Sequence, residues 1–480
     1  MPEFKGFVGP AYGALSPYQG AQECINWFSE TDPTKGPEDR AVTALYPTPG
    51  LVAQISGLPV AEVRGMYVLS TTNQMLAVVG QQVYVVSSIF AATLVGSLTS
   101  FTGPVSMSDN RISAMIVDGA NRYAYSISTG SFTAISSADG AFVGGDKVDY
   151  DDGFLLYNSP GTNQWGCTSV LSSSSPALSF SSKDSSPDNL VTLIADHREV
   201  YLVGEYTTER WINTGAFPFP FQRIPGTSMQ HGCAAKNSIA RLGESVAWLS
   251  RDQRGQVVVI QMNGYQPKRI STHAVENDIY GGVVSDCIAF TYQQEGHEFY
   301  QMTFPTQDKT WVYDLATDAW HKRASVDGSN TMHRHRANCH AFFRGLNLVG
   351  DYANGIIYSY DLNTYTDNGA PILRMRRTTH ITDGLNRISY TFLQIQFQPG
   401  VGLVSGQGSD PQIMLRWSDD GASTWSNYYT LPIGKIGAYK NRAIKRQMGL
   451  ARDRVYEVTI TDPVKAVILS ADLRTEKAEN

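Results

Sequence analysis

The feature that most constrains this chain is a short alternating run of apolar and polar residues that ends in a tight turn and begins again. QMLAVVGQQVYVV (74–86), RISAMIVDGANRYAYSI (111–127) and VTLIADHREVYLVGEY (191–206) all show it. A period of two is the signature of half-buried strands, with successive side chains on opposite faces. The intervening turns (NQ, DGAN, ADHRE) fall where Asn, Asp and Gly readily take positive φ. Helical periodicity is almost absent, so the expected class is all-β. Composition agrees: charged residues are only 17% of the chain, while 43 Gly and 25 Tyr supply the material of turns and strands.

A longer period lies over the short one. YAYSISTGSFTAI (123–135) aligns with WVYDLATDAWHKRA (311–324) and IYSYDLNTYTD (357–367), placing Tyr125, Tyr313 and Tyr360 at equivalent points. Similar units can be placed near Tyr84, Tyr157, Arg210 and Val259. Most successive spacings fall in the range of four-stranded propeller blades, about 40–50 residues. A single twisted blade cannot bury both of its faces, so blades stack around an axis. The expectation is a β-propeller of about seven blades, with six to eight allowed. A large irregular β-sandwich with repeated hairpins is the competing architecture.

The repeat does not cover the ends. Residues 1–50 are rich in Pro and Gly (GPAYGALSPYQG, TDPTKGPEDR, YPTPG) and read as an extended N-terminal arm. Residues 51–370 form the propeller. Residues 371–480 change texture: FLQIQFQPGVG, PQIMLRWSDDGASTWSNYYTLPIG and VYEVTITDPVKAVILSADL read as long strands and a hairpin of a second, sandwich-like β-domain.

Several function classes are disfavoured. A net charge of −6 argues against a general nucleic-acid binder held by a basic surface. No run of ~18 apolar residues predicts a spanning helix. The start, MPEFKGFVGPAYG, lacks a basic segment followed by an apolar one and is not read as a secretory signal. The five cysteines (Cys24, Cys167, Cys233, Cys287 and Cys339) are at least 50 residues apart, which suits reduced, buried thiols rather than a disulfide framework or a zinc site.

Four local motifs invite chemistry. WSDDGASTW (417–425) approaches the Asp-box, Ser-x-Asp-x-Gly-x-Thr-Trp: Ser418, Asp420, Thr424 and Trp425 are in register, with Ala422 where Gly belongs. In such hairpins the Asp accepts N–H bonds across the turn, so the expected role is a structural clasp. FQRIPG (221–226) resembles the Arg-Ile-Pro motif of sialidases, but Arg223 stands mid-chain with one imperfect box, and a structural loop is expected. MHRHRANCH (332–340) gathers His333, His335, Cys339 and His340. His-x-His on a strand could share a face, yet Arg334 and Arg336 flank the rings and no carboxylate is expected close by, so no metal is expected. Asp151–Asp152 reads as a turn. No nucleophile elbow, phosphate loop, HExxH or dinucleotide fingerprint occurs. The expectation is no catalytic site and no cofactor.

The clearest charge asymmetry is basic. Lys435, Lys440, Arg442, Lys445, Arg446, Arg452 and Arg454 crowd within 20 residues against Asp453 alone, preceded by Arg374, Arg376, Arg377 and Arg387. This is either a solvated basic face or a docking site for an acidic partner or a DNA backbone.

QECINWFSE (22–30), with Cys24, Asn26 and Glu30, the Tyr-rich blades and the closing WSDDGASTWS occur in an order along 480 residues that resembles the packaged-DNA stabilisation proteins, also called tail hub or nozzle proteins, of short-tailed (podovirus) bacteriophages. The resemblance implies a structural virion protein of the viral tail, assembled in the host cytoplasm. It implies a self-associated ring, typically a homohexamer, below the portal and the head-to-tail adaptor. Such a ring extends the DNA channel, retains packaged DNA until ejection, and anchors tailspikes or tail fibres and a tail plug or needle. Genomic DNA would pass through without sequence-specific binding, and no catalytic residues are carried over. A surface of low charge rich in Tyr, Ser and Asn suits large interfaces. The alternative is a carbohydrate-active propeller, a sialidase-like hydrolase or a glycan-binding module. That reading needs convergent arginines and a Tyr/Glu pair at the propeller centre. A fibre subunit would instead call for long β-helical repeats.

Overall fold

A computed structural model describes residues 3–36, 39–384 and 386–478. Almost every element in it is a strand, and the one α-helix among the described residues is His273–Ile279, capped by Thr272.

Seven antiparallel sheets of four main strands follow one another around an axis. Blade one runs through Val63–Val68, Met75–Val79, Gln82–Val86 and Ala92–Ser97. Blades two, three and four follow at Ser106–Ala134, Val148–Ser182 and Leu190–Arg223. Blade five is built on Ser245–Arg251, whose inner edge is shared by Gly232–Cys233 and Ala240–Leu242. Blade six is Ile288–Gln294, His297–Phe304, Lys309–Asp314 and Ala319–Lys322. Blade seven has only three strands of its own, Ala337–Phe343, Leu346–Asp351 and Ile357–Asp361. Its fourth is Gly50–Ile55, brought from the start of the chain to close the ring.

The seven repeat markers can now be placed. Tyr84, Tyr125, Arg210, Val259, Tyr313 and Tyr360 all lie on the third strand of their blades, whereas Tyr157 lies on the second strand of blade three. The third strand of blade three, Gln164–Cys167, carries Trp165 and no tyrosine, so the nearest tyrosine, Tyr157, falls one strand early.

Alternation also has a different cause from the half-buried strand expected. Met75–Val79 and Ser113–Val117 are buried at every position. Met75, Ala77 and Val79 pack toward blade seven, while Leu76 and Val78 pack toward blade two. A strand covered on both faces reads as a nearly continuous apolar run. The period of two sorts side chains between two neighbouring blades, and water meets mainly the outer strands.

The C-terminal unit is a two-sheet sandwich. One sheet contains Arg374–Arg377, Asp453–Ile460, Gln412–Ser418 and Tyr429–Pro432. The other contains Ile388–Phe397, Ile468–Lys477 and Ala443–Arg446. Leu393, Ile395, Leu415, Val458, Ile460 and Ile468 fill the space between them.

The first fifty residues are worked into both units. Ala21–Ile25 pairs antiparallel with Arg374–Arg377 of the sandwich and, through Ile25, parallel with Lys322 of blade six. The sheet of blade six therefore runs without a break into a sheet of the sandwich. Trp27–Thr31 and Thr43–Pro47 then join the other sandwich sheet through Leu45 and Ile468.

Candidate interaction surfaces

The QECINWFSE segment forms the seam between propeller and sandwich. Asn26 sits at φ +57° between two strands that enter different sheets. Its Nδ2 donates to the carbonyls of Ala324 (2.9 Å) and Leu373 (2.7 Å), and its Oδ1 accepts from the Ala324 amide (3.0 Å). One side chain thus ties the end of blade six to the start of the sandwich. Asn tolerates the left-handed region better than most residues, because its short polar side chain can bond locally. Beside it, Trp27 is fully buried and donates from Nε1 to the Ala466 carbonyl at 2.8 Å. The Cys24 thiol donates to the Trp27 carbonyl, and burial pushes its pKa up to about 12. Glu30, by contrast, is exposed.

Arg376 is the part of the seam that the sequence disguised. Within a run of arginines it looked like surface charge, yet it is fully buried. Its guanidinium donates to the carbonyls of Phe7 (2.7 Å), Pro10 (2.9 Å), Glu23 (3.2 Å) and Gly6 (3.4 Å) and to Gln22 Oε1 (3.2 Å). Burial lowers its pKa to about 10. Five donors in a planar fork suit such a ring of carbonyls. Arg374 is buried as well, and Arg377 pairs with Glu457 at 2.8 Å.

The seven cations of the basic cluster divide in the same way. Lys435, Lys440, Arg442, Arg446 and Arg452 are exposed, and Lys445 is half-buried with its ammonium 3.6 Å from the centre of the Tyr429 ring. Lys435 reaches Asp410 at 3.3 Å. Arg454 does not belong to this surface. It is 1% exposed, donates to both oxygens of Asp419 (2.6 and 2.8 Å) and lies over the Tyr390 ring at 4.1 Å. Strand Asp453–Ile460 turns that position inward, and Asp419, 35 residues away in sequence, supplies the counter-charge. Lys440 and Arg442 border a cleft of about 510 Å³ with Arg40, Gln394, Tyr439 and Asp472.

The Asp-box residues make a closed hairpin. Asp420 accepts from Ser418 Oγ (2.7 Å), the Thr424 amide (2.8 Å) and Thr424 Oγ1 (2.6 Å), and these bonds hold its pKa down at about 2. Ala422, in the glycine position, has φ +68°. Trp425 is half-buried and carries the guanidinium groups of Arg416 and Arg377, at 4.7 and 4.8 Å, over its ring.

At the propeller centre, a cleft of about 780 Å³ opens on the inner strands of blades five to seven. Among the described residues Arg241 is the one arginine lining it, and that guanidinium is engaged by Asp149 at 2.7 Å. Tyr292 and Glu298 are present, but arginines do not converge on them as a sialidase-like site requires. Arg223 lies exposed on the outermost strand of blade four, away from this cleft. Asp151 and Asp152 end the inner strand of blade three at its turn, as the sequence suggested. The histidines of MHRHRANCH point apart. His333 is on a surface hairpin and, contrary to the sequence reading, has carboxylates beside it: Asp308 at 2.6 Å and Asp327 at 3.5 Å. These raise its pKa. His335 is buried and accepts from the Ala337 amide, while His340 stacks on Phe290 at 5.6 Å.

Comparison with known proteins gives two family matches. Residues 36–365 match the family described as bacteriophage P22 Gp10, beta-propeller, and residues 374–476 match bacteriophage P22 Gp10, beta-sandwich. No curated protein matches the sequence. Among solved structures, the WD40 beta propeller domain of Doa1 is similar over 65% of this chain and 97% of its own, at 9% identity and a TM-score of 0.39. The N-terminal domain of Nup159 is similar over 69% and 98%, at 9% identity and a TM-score of 0.41.

Proposed function

Because the chain belongs to the bacteriophage P22 Gp10 family, a structural tail protein and not an enzyme, we propose that it works as the hub or nozzle ring of a short-tailed phage. The family match across both units is the observation that carries this reading. The ring, a homohexamer, sits below the portal and adaptor, extends the DNA channel, holds the packaged genome, and anchors tailspikes or fibres and the tail plug. Assembly takes place in the host cytoplasm. Residues 1–50 act as the connecting arm, 51–370 as the propeller and 371–480 as the sandwich. The exposed cations Lys435, Lys440, Arg442, Lys445, Arg446 and Arg452 form a docking face for an acidic surface, and Ser418, Asp420, Thr424 and Trp425 serve as a structural clasp.

Two features of the molecule support a load-carrying part. Its two units share an unbroken sheet, and among the described residues the arginines of a glycan hydrolase do not converge on its central cleft. Native mass spectrometry of the purified chain, alone and with the phage's adaptor protein, tests the proposal. A species of about six subunits, free or nucleated by the adaptor, is expected. A chain that stays monomeric and ignores the adaptor would refute it.

A further inference from the structure

Charge is divided between the two units. Residues 371–480 hold 15 Lys and Arg against 10 Asp and Glu, while residues 1–370 hold 23 against 34. The chain is thus a body of net −11 bearing a unit of net +5, within an overall −6; setting aside the buried Arg374 and Arg376 leaves 13 cations against 10 acids in that unit, a net of +3. Opposite charges on different faces of one molecule favour head-to-tail contacts between copies, because like faces repel and unlike faces attract.

Each face carries a shaped feature. On the basic unit, the glycine-containing loop 434–442 stands out from the sandwich with Ile436 at 60% and Tyr439 at 70% exposure. Lys440 and Arg442 close the loop, and neither makes an ion pair among the described residues. Its companion loop braces it: a Cβ on Gly400 would sit 2.5 Å from the Tyr439 ring, and one on Gly402 would sit 2.9 Å from the Ile436 nitrogen. On the acidic body, the 780 Å³ cleft of blades five to seven has an apolar wall in Phe342, itself 61% exposed, with Tyr292 buried at its floor at 3% exposure. Glu295 and Glu298 line it, and Glu244, with a side chain 98% exposed, stands beside Gly243 at its rim. The cations nearest these acids have other carboxylates beside them: Arg241 has Asp149, His297 has Asp314 at 2.8 Å, and His197, 3.6 Å from Glu244, has Asp196 at 2.8 Å. The cleft lies within the size range of built binding sites, about 300–1,000 Å³.

We propose that loop 434–442 of one copy seats in the glutamate-rimmed cleft of the next, with Ile436 and Tyr439 against Phe342, and with Lys440 and Arg442 opposite Glu244 and Glu295. The contact is heterologous, since the surface used by the donor differs from that used by the acceptor. Repetition of such a contact yields a closed ring when the rotation between copies closes. This inference rests on the ring reading above and names the surfaces that make the ring.

The test is charge reversal in the full chain, read by native mass spectrometry and by the concentration at half-assembly. Lys440→Glu/Arg442→Glu and Glu244→Lys/Glu295→Lys each place like charges in contact. Each is expected to raise the half-assembly concentration at least about tenfold, and the effect should shrink as salt rises. Combining all four substitutions restores opposite charges and should recover assembly. A ring that tolerates either reversal, or one that the combination fails to rescue, would overturn this docking and leave the ring itself standing. A wild-type chain that never associates would remove both. All four positions are exposed, and unchanged circular dichroism and melting separate lost docking from lost folding.

Discussion

Asn26 offers the sharpest test of how propeller and sandwich are joined, because two physical contributions at one residue can be separated by substitution. The side chain makes three hydrogen bonds, to the Ala324 carbonyl, the Leu373 carbonyl and the Ala324 amide, and the residue is 1% exposed. Each bond contributes about 1 kcal/mol net, so Asn26→Gly, which keeps the backbone at ease, should lose about 3 kcal/mol. Asn26→Ala loses the same bonds and must also hold a Cβ at φ +57°, adding about 1 kcal/mol. Asn26→Asp preserves shape and φ tolerance but turns the amide donor toward two carbonyls as a carboxylate oxygen. A buried charge facing acceptors should cost more than either, about 5 kcal/mol or above. The expected order of stability is wild type, Gly, Ala, Asp. Urea unfolding followed by tryptophan fluorescence reads the global stability, since buried tryptophans lie in the blades as well as at the seam. Hydrogen exchange should rise first in residues 21–31, 319–324 and 372–377. An Asp variant as stable as the Gly variant would refute the donor assignment, and equal Ala and Gly variants would refute the strain.

Three further outcomes follow from the geometry. Ala422→Gly relieves a left-handed alanine in the Asp-box turn and should raise stability by about 0.5–1 kcal/mol, seen as a higher unfolding midpoint; a lower one would contradict the φ of +68°. Gly50→Ala should cost about 2–4 kcal/mol and expose blade seven to limited proteolysis, since the new Cβ would meet the backbone carbonyl of Thr366 at 2.5 Å and that of Thr364 closer still. Asp151 has its pKa raised from 3.8 to about 6, by burial first and then by Asp152. A raised folded pKa means that its contribution is fully present below about pH 4 and is lost as pH rises through 6. Asp151→Asn should therefore match wild type at low pH and exceed it above pH 6, by about 1–2 kcal/mol once solvent screening is allowed for. Equal pH profiles of melting temperature in the two proteins would show that Asp151 does not titrate this way.

The repeat was legible because the third strand of each blade meets two neighbours and must be apolar or aromatic on both faces. Tyr84, Tyr125, Tyr313 and Tyr360 mark it, and in blade three, where that strand carries Trp165 in place of a tyrosine, Tyr157 of the preceding strand took the marker's place. Long-range partnership was hidden. Residues 1–50 carry the Pro and Gly of an extended segment, yet Ala21–Ile25 and Thr43–Pro47 are strands whose partners lie some 300 or more residues away, and Trp27–Thr31 joins them by pairing with Thr43–Pro47. The arginines show the same limit. A cation count cannot distinguish Arg376, spent on four main-chain carbonyls and Gln22, or Arg454, spent on Asp419, from Arg442 at the surface. The available signal was alternation: Arg374 and Arg376 occupy alternate positions of one strand, and the buried face of that strand takes both.

The seam and the ring closure are made by a single stretch of chain, and this binds the two units energetically. Gly50–Ile55 completes blade seven, and a few residues earlier Thr43–Pro47 reaches the sandwich sheet at Leu45–Ile468. Opening blade seven therefore pulls on the sandwich, and losing the sandwich edge frees the strand that closes the propeller. Two domains joined by a flexible linker would unfold separately; here the partners of residues 21–55 lie in both units, so loss of one exposes apolar surface of the other. The order of synthesis sharpens the point. The N-terminal strands emerge first but cannot be placed until residues 322, 357–361, 374–377 and 468 exist. Neither unit can be finished before nearly the whole chain is made, which favours one late cooperative closure over domain-by-domain folding. For a tail component, the same stitching means that a pull on the sandwich passes into blade six through paired main chain, and separating the units requires breaking the strand pairs of Ala21–Ile25.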